Sequence, residues 1–349
     1  MNQTPSTDRN PYLQNILEQP QALADTLAGL RANPSLDPLP DWIASGSLRR
    51  VVLTGMGSSC RGFYPLHYAL LQAGLASILM ETSELIYYAG GLLRSDTLLI
   101  AASQSGESAE IVRLLEINQG RAAVLGITNT PGSTLAKLAG QVLLIRAGVE
   151  ATVSSKTYVA IELVLPWLAD RLLGRPVEET LAELSQASWL CEKYLKDWER
   201  HADWFAGALV DASSLFYVGR GPSLAAAETG GLITKESTHF AAEGMSSAAF
   251  RHGPVEIVRP GTVVVIFAGE PATRALNLRL AEDIERMGGR ALVVSESSPV
   301  DALRLPAAPP SLRPVLEILP IQMMTLALAK LAGHTAGAFS HATKVTTEE

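Results

Sequence analysis

An apolar run leads into a loop of glycine and serine at Val51-Val52-Leu53-Thr54-Gly55-Met56-Gly57-Ser58-Ser59. A helical pattern follows the loop. The same order of strand, loop and helix returns about 165 residues later, at Leu215-Phe216-Tyr217-Val218-Gly219-Arg220-Gly221-Pro222-Ser223, a period too long for a solenoid repeat. The sequence therefore predicts two copies of one domain.

Further short apolar runs alternate with helix-length segments in both copies. They lie at residues 77–80, 97–102, 123–127, 141–145, 263–267, 291–294 and 314–319. This alternation predicts parallel sheets that are covered by helices on both faces. We expect an α/β protein with two tandem, doubly wound, flavodoxin-like domains. The predicted boundaries are a helical extension at 1–47, a first domain at 48–195, and a second domain with a C-terminal tail at 205–349.

Composition limits the partners and the location of the protein. Of the 349 residues, 47% are hydrophobic and 18% charged, and the net charge is −7 with no long basic run. These values fit a compact α/β architecture and argue against a disordered or fibrous chain, and they predict no nucleic-acid partner and no membrane partner. Cys60 and Cys191 form no metal-type or redox-type pair, and Met1–Pro5 does not begin a signal peptide. We therefore expect a cytoplasmic protein without a metal or another cofactor.

The first glycine-rich loop has three interpretations. Dinucleotide binding would need a third glycine where Cys60 stands, although Gly62 and Glu81 lie nearby. A tight turn between a strand and a helix is a second interpretation. A third is a ligand loop, which Gly57, Ser58 and Ser59 favour because their hydroxyl and N–H groups would lie at a helix N-terminus.

A second polar loop follows the apolar run at 97–102 and reads Ser103-Gln104-Ser105-Gly106-Glu107-Ser108. Three hydroxyls, one amide and several backbone N–H groups would meet there at the positive end of a helix dipole. Such a loop suits a dianionic phosphate. The alternative is that Ser105 and Ser108 only cap the following helix.

This second loop resembles the signature of the sugar isomerase (SIS) family, whose serines, glutamine and final hydroxyl hold a sugar phosphate. Five further segments are similar to family motifs: Glu81-Thr82-Ser83-Glu84, Val153-Ser154-Ser155-Lys156, Gly219-Arg220-Gly221, Lys235-Glu236 and Phe250-Arg251-His252-Gly253-Pro254. The tail from Leu319-Pro320-Ile321-Gln322 to Lys344-Val345-Thr346 also resembles the family's C-terminus. The resemblance runs from about residue 12 to the C-terminus. It is strongest to the isomerase half of the glucosamine-6-phosphate synthases.

The resemblance implies the site residues. The residues expected to bind the phosphosugar are Gly57, Ser58, Ser59, Ser103, Gln104, Ser105, Ser108 and Ser154. Glu236 becomes the base that moves a proton between C1 and C2, His252 assists ring opening, and Lys344 engages the open-chain carbonyl. It also implies a homodimer in which His252 reaches the site of the neighbouring copy.

Structural interpretations of the same three residues remain open. Glu236 and Lys235 would suit the solvated face of a helix. His252 could be a turn histidine that is bonded to backbone, and Lys344 could be a free charge in a tail.

Differences from the synthases determine the expected reaction. No early cysteine or glutaminase region occurs, so synthesis from glutamine is not expected, and Ile233 replaces the lysine three positions before the glutamate. We expect an aldose–ketose isomerase for a hexose 6-phosphate, of the amino-sugar-phosphate deaminase type that acts between glucosamine 6-phosphate and fructose 6-phosphate. The alternatives are a fructosamine-6-phosphate deglycase and a non-catalytic phosphosugar-binding regulator.

Overall fold

The structure is a computed structural model that describes residues 10–32 and 34–346. The first sheet has five parallel strands in the spatial order β2-β1-β3-β4-β5. In chain order they are β1 (Arg50–Gly55), β2 (Ala76–Glu81), β3 (Thr97–Ala102), β4 (Ala123–Thr128) and β5 (Gln141–Leu144).

Helices precede, connect and follow these strands. They are α1 (Pro11–Leu17), α2 (Gln19–Arg31), α3 (Leu39–Ala44), α4 (Ser58–Arg61), α5 (Tyr64–Gln72), α6 (Thr82–Tyr87), α7 (Ala109–Asn118), α8 (Thr134–Leu138), α9 (Lys156–Leu172), α10 (Glu178–Leu184), α11 (Ala187–Leu195) and α12 (Trp198–Leu209). Every residue of β3 is buried, because helices cover both faces of a doubly wound sheet. That burial explains why this strand is an unbroken apolar run in the sequence.

The second sheet has four parallel strands among the described residues, in the order β7-β6-β8-β9. Its elements are β6 (Ser214–Gly219), α13 (Leu224–Thr238), β7 (Ala242–Ser246), α14 (Ser247–Arg251), β8 (Thr262–Phe267), α15 (Arg274–Arg286), β9 (Arg290–Val294) and α16 (Arg313–Ala332). The predicted α/β class and the tandem doubly wound sheets are confirmed.

The predicted strand at 314–319 is wrong, because these residues belong to helix α16. Pro314 stands at the start of the helix, where its fixed φ is favourable. Residues 310–332 are long and apolar enough to cross a bilayer, yet 78% of the most apolar window is buried within the protein. Helix α16 packs on α12 and α13. It is a core helix, and a short apolar run inside such a helix looks like a strand.

The chain packs into two units whose limits differ from the predicted domain boundaries. The first, named the β1–β5 unit, contains the described residues of 21–149, 156–187 and 342–346. The β6–β9 unit contains residues 10–20, 150–155 and 188–341. The predicted extension is thus divided at residue 20, and its residues 1–9 and 33 lie outside the described residues.

Candidate functional site

The loops after β1 and β3 leave the first sheet side by side. Gly55 at the end of β1 is paired with Ala102 at the end of β3. Because β2 flanks β1 and β4 flanks β3, the chain continues in opposite directions from these two strands. In open parallel sheets, such a reversal forms the crevice in which ligands bind. The loops that begin at Met56 and Ser103 therefore border one crevice.

The Ser103–Ser108 loop is fixed by its backbone at Gly106. This residue has a φ of +66°, and a Cβ atom there would lie 2.2 Å from the Ser133 Oγ atom. Only glycine fits without displacing Ser133, whose hydroxyl caps α8 by accepting from the Ala136 N–H. The Gly106 carbonyl also accepts a hydrogen bond of 3.1 Å from the Leu135 N–H.

The side chains of Ser103 and Ser108 turn toward each other. Their Oγ atoms are 3.4 Å apart, and the Ser103 Oγ accepts from the Gly106 N–H at 3.1 Å. Ser108 is the N-cap residue of α7, but its hydroxyl makes no capping hydrogen bond. The Ser105 Oγ accepts from the Glu107 N–H, which lies outside the helix. The alternative that these serines only cap α7 is therefore wrong.

Glu107 anchors the loop from the other side. Its carboxylate accepts from the Thr134 N–H at 2.7 Å and from the Thr134 hydroxyl at 2.8 Å, at the start of α8. The Gln104 carbonyl accepts from the Asn129 N–H at 3.1 Å, while the Gln104 side chain has no hydrogen bond to a described residue. These contacts hold the backbone and leave the Gln104 amide available to a ligand.

The first glycine-rich loop, which follows β1, also combines a glycine at positive φ with serine hydroxyls. Gly57 has a φ of +53°. Ser58 and Ser59 begin α4, and both are half-buried. Neither hydroxyl is hydrogen-bonded to another part of the described chain. The crevice is thus bordered by serine hydroxyls from two loops.

The C-terminal tail joins this unit and not the predicted second domain. The Thr346 carbonyl accepts a hydrogen bond of 3.2 Å from the Ala109 N–H, the first residue of α7. Lys344 lies two residues earlier and is half-buried. A free tail charge would be exposed, so that interpretation does not describe Lys344. The tail meets the helix whose N-terminus the Ser103–Ser108 loop borders.

Glu236 lies in the β6–β9 unit, on α13. Nearby is Tyr12, a fully buried residue whose hydroxyl is 3.2 Å from the Thr325 Oγ1 atom. Burial raises the pKa of Tyr12 well above its usual value, and the carboxylates of Glu236 and Glu150 add to the rise. Tyr12 therefore stays protonated and can donate a hydrogen bond. The sequence carried no signal for the polar neighbours of Tyr12.

Position 233 is fully buried on the same helix, three residues before Glu236. An isoleucine suits this apolar environment, whereas a charged amine would need a partner there. Lys235 is exposed and forms an ion pair of 3.3 Å with Glu243. A pair with this much solvent contact contributes about 1 kcal/mol or less. Neither position supplies an amine beside Glu236 in the way that the family pattern would.

His252 and Ser154 also lie in the β6–β9 unit. His252 follows α14 and is exposed, and only its backbone N–H bonds to Ala249. Its ring makes no hydrogen bond within the described residues, so it is not a turn histidine that is bonded to backbone. Ser154 belongs to a segment in which the Glu150 carboxylate accepts from the Ser155 N–H at 2.8 Å. Ser154 therefore belongs to a different unit from the other predicted phosphate ligands.

The corresponding crevice of the second sheet is filled by its own side chains. The Glu317 Oε1 accepts from the Ser223 hydroxyl at 2.8 Å, beside the loop after β6. The same atom lies 3.3 Å from the Cβ position of Gly269, in the loop after β8. Arg313 packs on Gly269 and forms an ion pair with Glu270. A lone carboxylate in the apolar run of α16 was the signal for Glu317 in the sequence.

The predicted residues thus form two groups. Gly57, Ser58, Ser59, Ser103, Gln104, Ser105, Ser108 and Lys344 belong to the β1–β5 unit, and Ser154, Glu236 and His252 to the β6–β9 unit. Within the described ranges, no group of three or more His, Cys, Asp or Glu residues could hold a metal ion. The absence of a metal stays a prediction.

Comparison with protein families matches the SIS domain at residues 67–166 and 208–331, which is more than half of the chain. The chain belongs to the SIS domain family. The first match contains strands β2–β5 and the second contains strands β6–β9, so each match lies on one sheet, while β1 precedes the first match.

Three similar proteins, one found by sequence and two by structure, illustrate the likeness. A glutamine–fructose-6-phosphate aminotransferase (isomerizing) from Pyrococcus horikoshii is 30% identical over 334 residues, which cover 92% of this SIS chain and 55% of that protein. The chain thus spans about half the length of the curated relatives it matches. The C-terminal domain of glucosamine-fructose-6-phosphate aminotransferase from Francisella tularensis has a TM-score of 0.84 at 21% identity, over 97% of this chain and all of that one. A glucosamine-6-phosphate deaminase from Thermotoga maritima has a TM-score of 0.78 at 19% identity, over 96% and 99%. At these identities the two structures show a shared fold.

Glu317 makes the stability of the protein depend on pH. Burial raises its pKa to about 8 from an ordinary value of 4.5. The unfolded chain releases this proton near pH 4.5, whereas the folded chain keeps it until about pH 8. Folding stability should therefore fall as pH rises through this window, by up to roughly 5 kcal/mol at 1.36 kcal/mol for each pKa unit.

Urea unfolding between pH 5 and pH 8 tests this expectation. The Glu317→Gln variant keeps an acceptor for Ser223 but cannot ionise, so its stability should decline less with pH than that of the parent. Glu116→Gln, at an exposed glutamate, should follow the parent. Parallel curves for all three proteins would contradict a raised pKa at Glu317.

Proposed function

We propose that this chain catalyses aldose–ketose isomerisation of a hexose 6-phosphate derivative, coupled to loss of an amine. The observation that carries the proposal is the Ser103–Ser108 loop, whose serine hydroxyls face each other and do not cap the helix. Hydroxyls, N–H groups and a helix N-terminus suit a phosphate dianion. The aminotransferase and the deaminase to which the chain is similar are both named for sugar phosphates, which supports the same substrate class.

In this proposal Glu236 acts as the base. After ring opening, with which His252 assists, the base removes the C2 proton of an amino-aldose phosphate and returns it to C1. The C1 carbonyl oxygen takes up a proton and the C2 amine gives one up, so the product has a C1 hydroxyl and an imine at C2. Water then hydrolyses this imine to release ammonia and leave the ketose phosphate. Lys344 engages the carbonyl of the open chain, and Tyr12 donates a hydrogen bond near the base. The chemistry needs a carboxylate, an imidazole and an amine, all of which this chain supplies.

A phosphosugar-binding regulator is the second candidate, and Ile233 is the observation that favours it. A regulator needs the phosphate loop but no proton relay, and the relay position of the family pattern is here a buried isoleucine. Retention of Glu236, His252 and Lys344 together favours the enzyme.

The proposal places the protein in the cytoplasm. Both cysteines are buried free thiols, and a reducing compartment preserves such thiols. It includes no metal or cofactor.

Turnover on a panel of phosphosugars tests the proposal. Glucosamine 6-phosphate should release ammonia and form a ketose phosphate, and fructosamine 6-phosphates in the same panel would reveal a deglycase. Glu236→Gln and Lys344→Ala should each reduce turnover by about a hundredfold or more, which is the usual size of a general acid–base contribution. The matched control is Glu243→Gln, at an exposed glutamate close in sequence, which should keep full turnover. If phosphosugars stabilise the protein against unfolding but none of them is turned over, the result would contradict the enzyme and favour the phosphosugar-binding regulator.

A homodimer with shared sites is a further part of the proposal. His252 is exposed, and its ring has no hydrogen bond to a described residue of its own chain, so it is available to a second copy. Glu236→Gln and His252→Ala chains, each inactive alone, should regain activity when they are mixed under subunit exchange. Dimers that form from both variants and stay inactive would contradict a shared site.

A further inference from the structure

A cleft of about 230 Å³ opens on the surface of the β6–β9 unit. It is lined by Arg220 from the loop after β6, by Arg251 at the end of α14, and by Arg279 and Arg286 of α15. Four guanidinium groups around one small cleft are unusual in a chain whose net charge is −7. The positive charge is therefore concentrated locally.

Two carboxylates also line the cleft, and one of them is already paired. Asp283 forms an ion pair of 2.6 Å with Arg251 and a second ion pair with Arg286. Glu282 is exposed and has no hydrogen bond or ion pair with a described residue. Positive charge therefore exceeds negative charge in the cleft, and Arg220 and Arg279 are not neutralised by Asp283.

The orientation of Arg220 is set by a chain of buried hydrogen bonds. Its Nε–H donates to the Ser247 hydroxyl at 2.9 Å, and this hydroxyl donates to the Asn277 Oδ1 at 2.7 Å. The Asn277 amide in turn donates at 2.7 Å to the carbonyl of Phe267, the last residue of β8. Ser247 and Asn277 are each 1% exposed. The guanidinium is thus held by Nε while its two terminal amino groups have no hydrogen bond to the described chain.

Arg279 completes the set of available donors. It is exposed on α15 and makes no hydrogen bond or ion pair with a described residue. The guanidinium of Arg220 is already oriented, so it loses less conformational freedom on binding a ligand than a mobile side chain would. Its planar arrangement of N–H groups matches phosphate and carboxylate oxygens. The volume is below the range of about 300–1,000 Å³ that is typical for larger ligands. These features together favour a small anion.

We propose that this arginine cleft binds the phosphate group of a small phosphorylated ligand. This second anion site lies in a different unit from the Ser103–Ser108 loop, and it does not depend on the function proposed above. Arg220 and Arg279 supply the hydrogen bonds to phosphate, and the Asp283 pairs position the other two arginines.

Equilibrium dialysis with radiolabelled inorganic phosphate, at fixed ionic strength, tests the proposal. Arg279→Gln and Arg220→Gln should each raise the dissociation constant of one bound phosphate per chain by about tenfold or more. The reason is that each substitution removes charge-assisted hydrogen bonds. Arg274→Gln is the matched control, since Arg274 lies on the same helix but outside the cleft and bonds to Ser297. This control should bind as the parent does.

Arg279→Gln is the deciding variant, because an exposed and unpaired side chain contributes little to folding. An unchanged melting temperature, together with loss of the phosphate equivalent, would support the site. Equal phosphate binding in the parent, Arg279→Gln and Arg274→Gln would overturn it, even if Arg220→Gln disturbs the buried hydrogen bonds and fails to fold.

Discussion

The reversal of strand order at the centre of each sheet is the constraint on which the candidate sites depend. Because β1 and β3 are neighbours and the chain leaves them in opposite directions, their loops diverge and leave a crevice at the carboxyl edge. The register places Gly55 beside Ala102, so the two loops begin at the same level. Gly106 then fixes the second loop, since Ser133 occupies the space of a side chain there. The backbone geometry therefore determines where the serine hydroxyls lie.

The duplicated fold uses its two crevices differently. In the β1–β5 unit, serine hydroxyls and the amide of Gln104 border the crevice, which suits an anionic ligand. In the β6–β9 unit, Glu317 and the Arg313–Glu270 pair fill the corresponding space. Burial raises the pKa of Glu317, and the hydrogen bond from the Ser223 hydroxyl reverses only part of this rise. The arginine cleft lies on the same unit, where Arg220 from the loop after β6 and Arg279 of α15 line it.

Local patterns could be predicted from the sequence, whereas long-range ones could not. Strands β3 and β8 were predicted at Thr97–Ala102 and Val263–Phe267 because burial on both faces requires an apolar residue at every position. Strand β7 was missed because Ala242–Ser246 has a charged residue, a glycine and a serine on a half-buried edge. The Ser103–Ser108 loop is continuous in sequence and was therefore found. Tyr12 lies about 220 residues from Glu236 along the chain, and only the folded structure brings the Tyr12 hydroxyl close enough for the Glu236 carboxylate to raise its pKa.

The central claim is that the Ser103–Ser108 loop holds the phosphate of a sugar phosphate. A crystal structure of the protein with fructose 6-phosphate tests this claim most directly. The account predicts that phosphate oxygens lie within hydrogen-bond distance of the Ser103, Ser105 and Ser108 hydroxyls, above the N-terminus of α7. A sugar phosphate bound only at other residues, with the Ser103–Ser108 loop making no contact with it, would contradict the account.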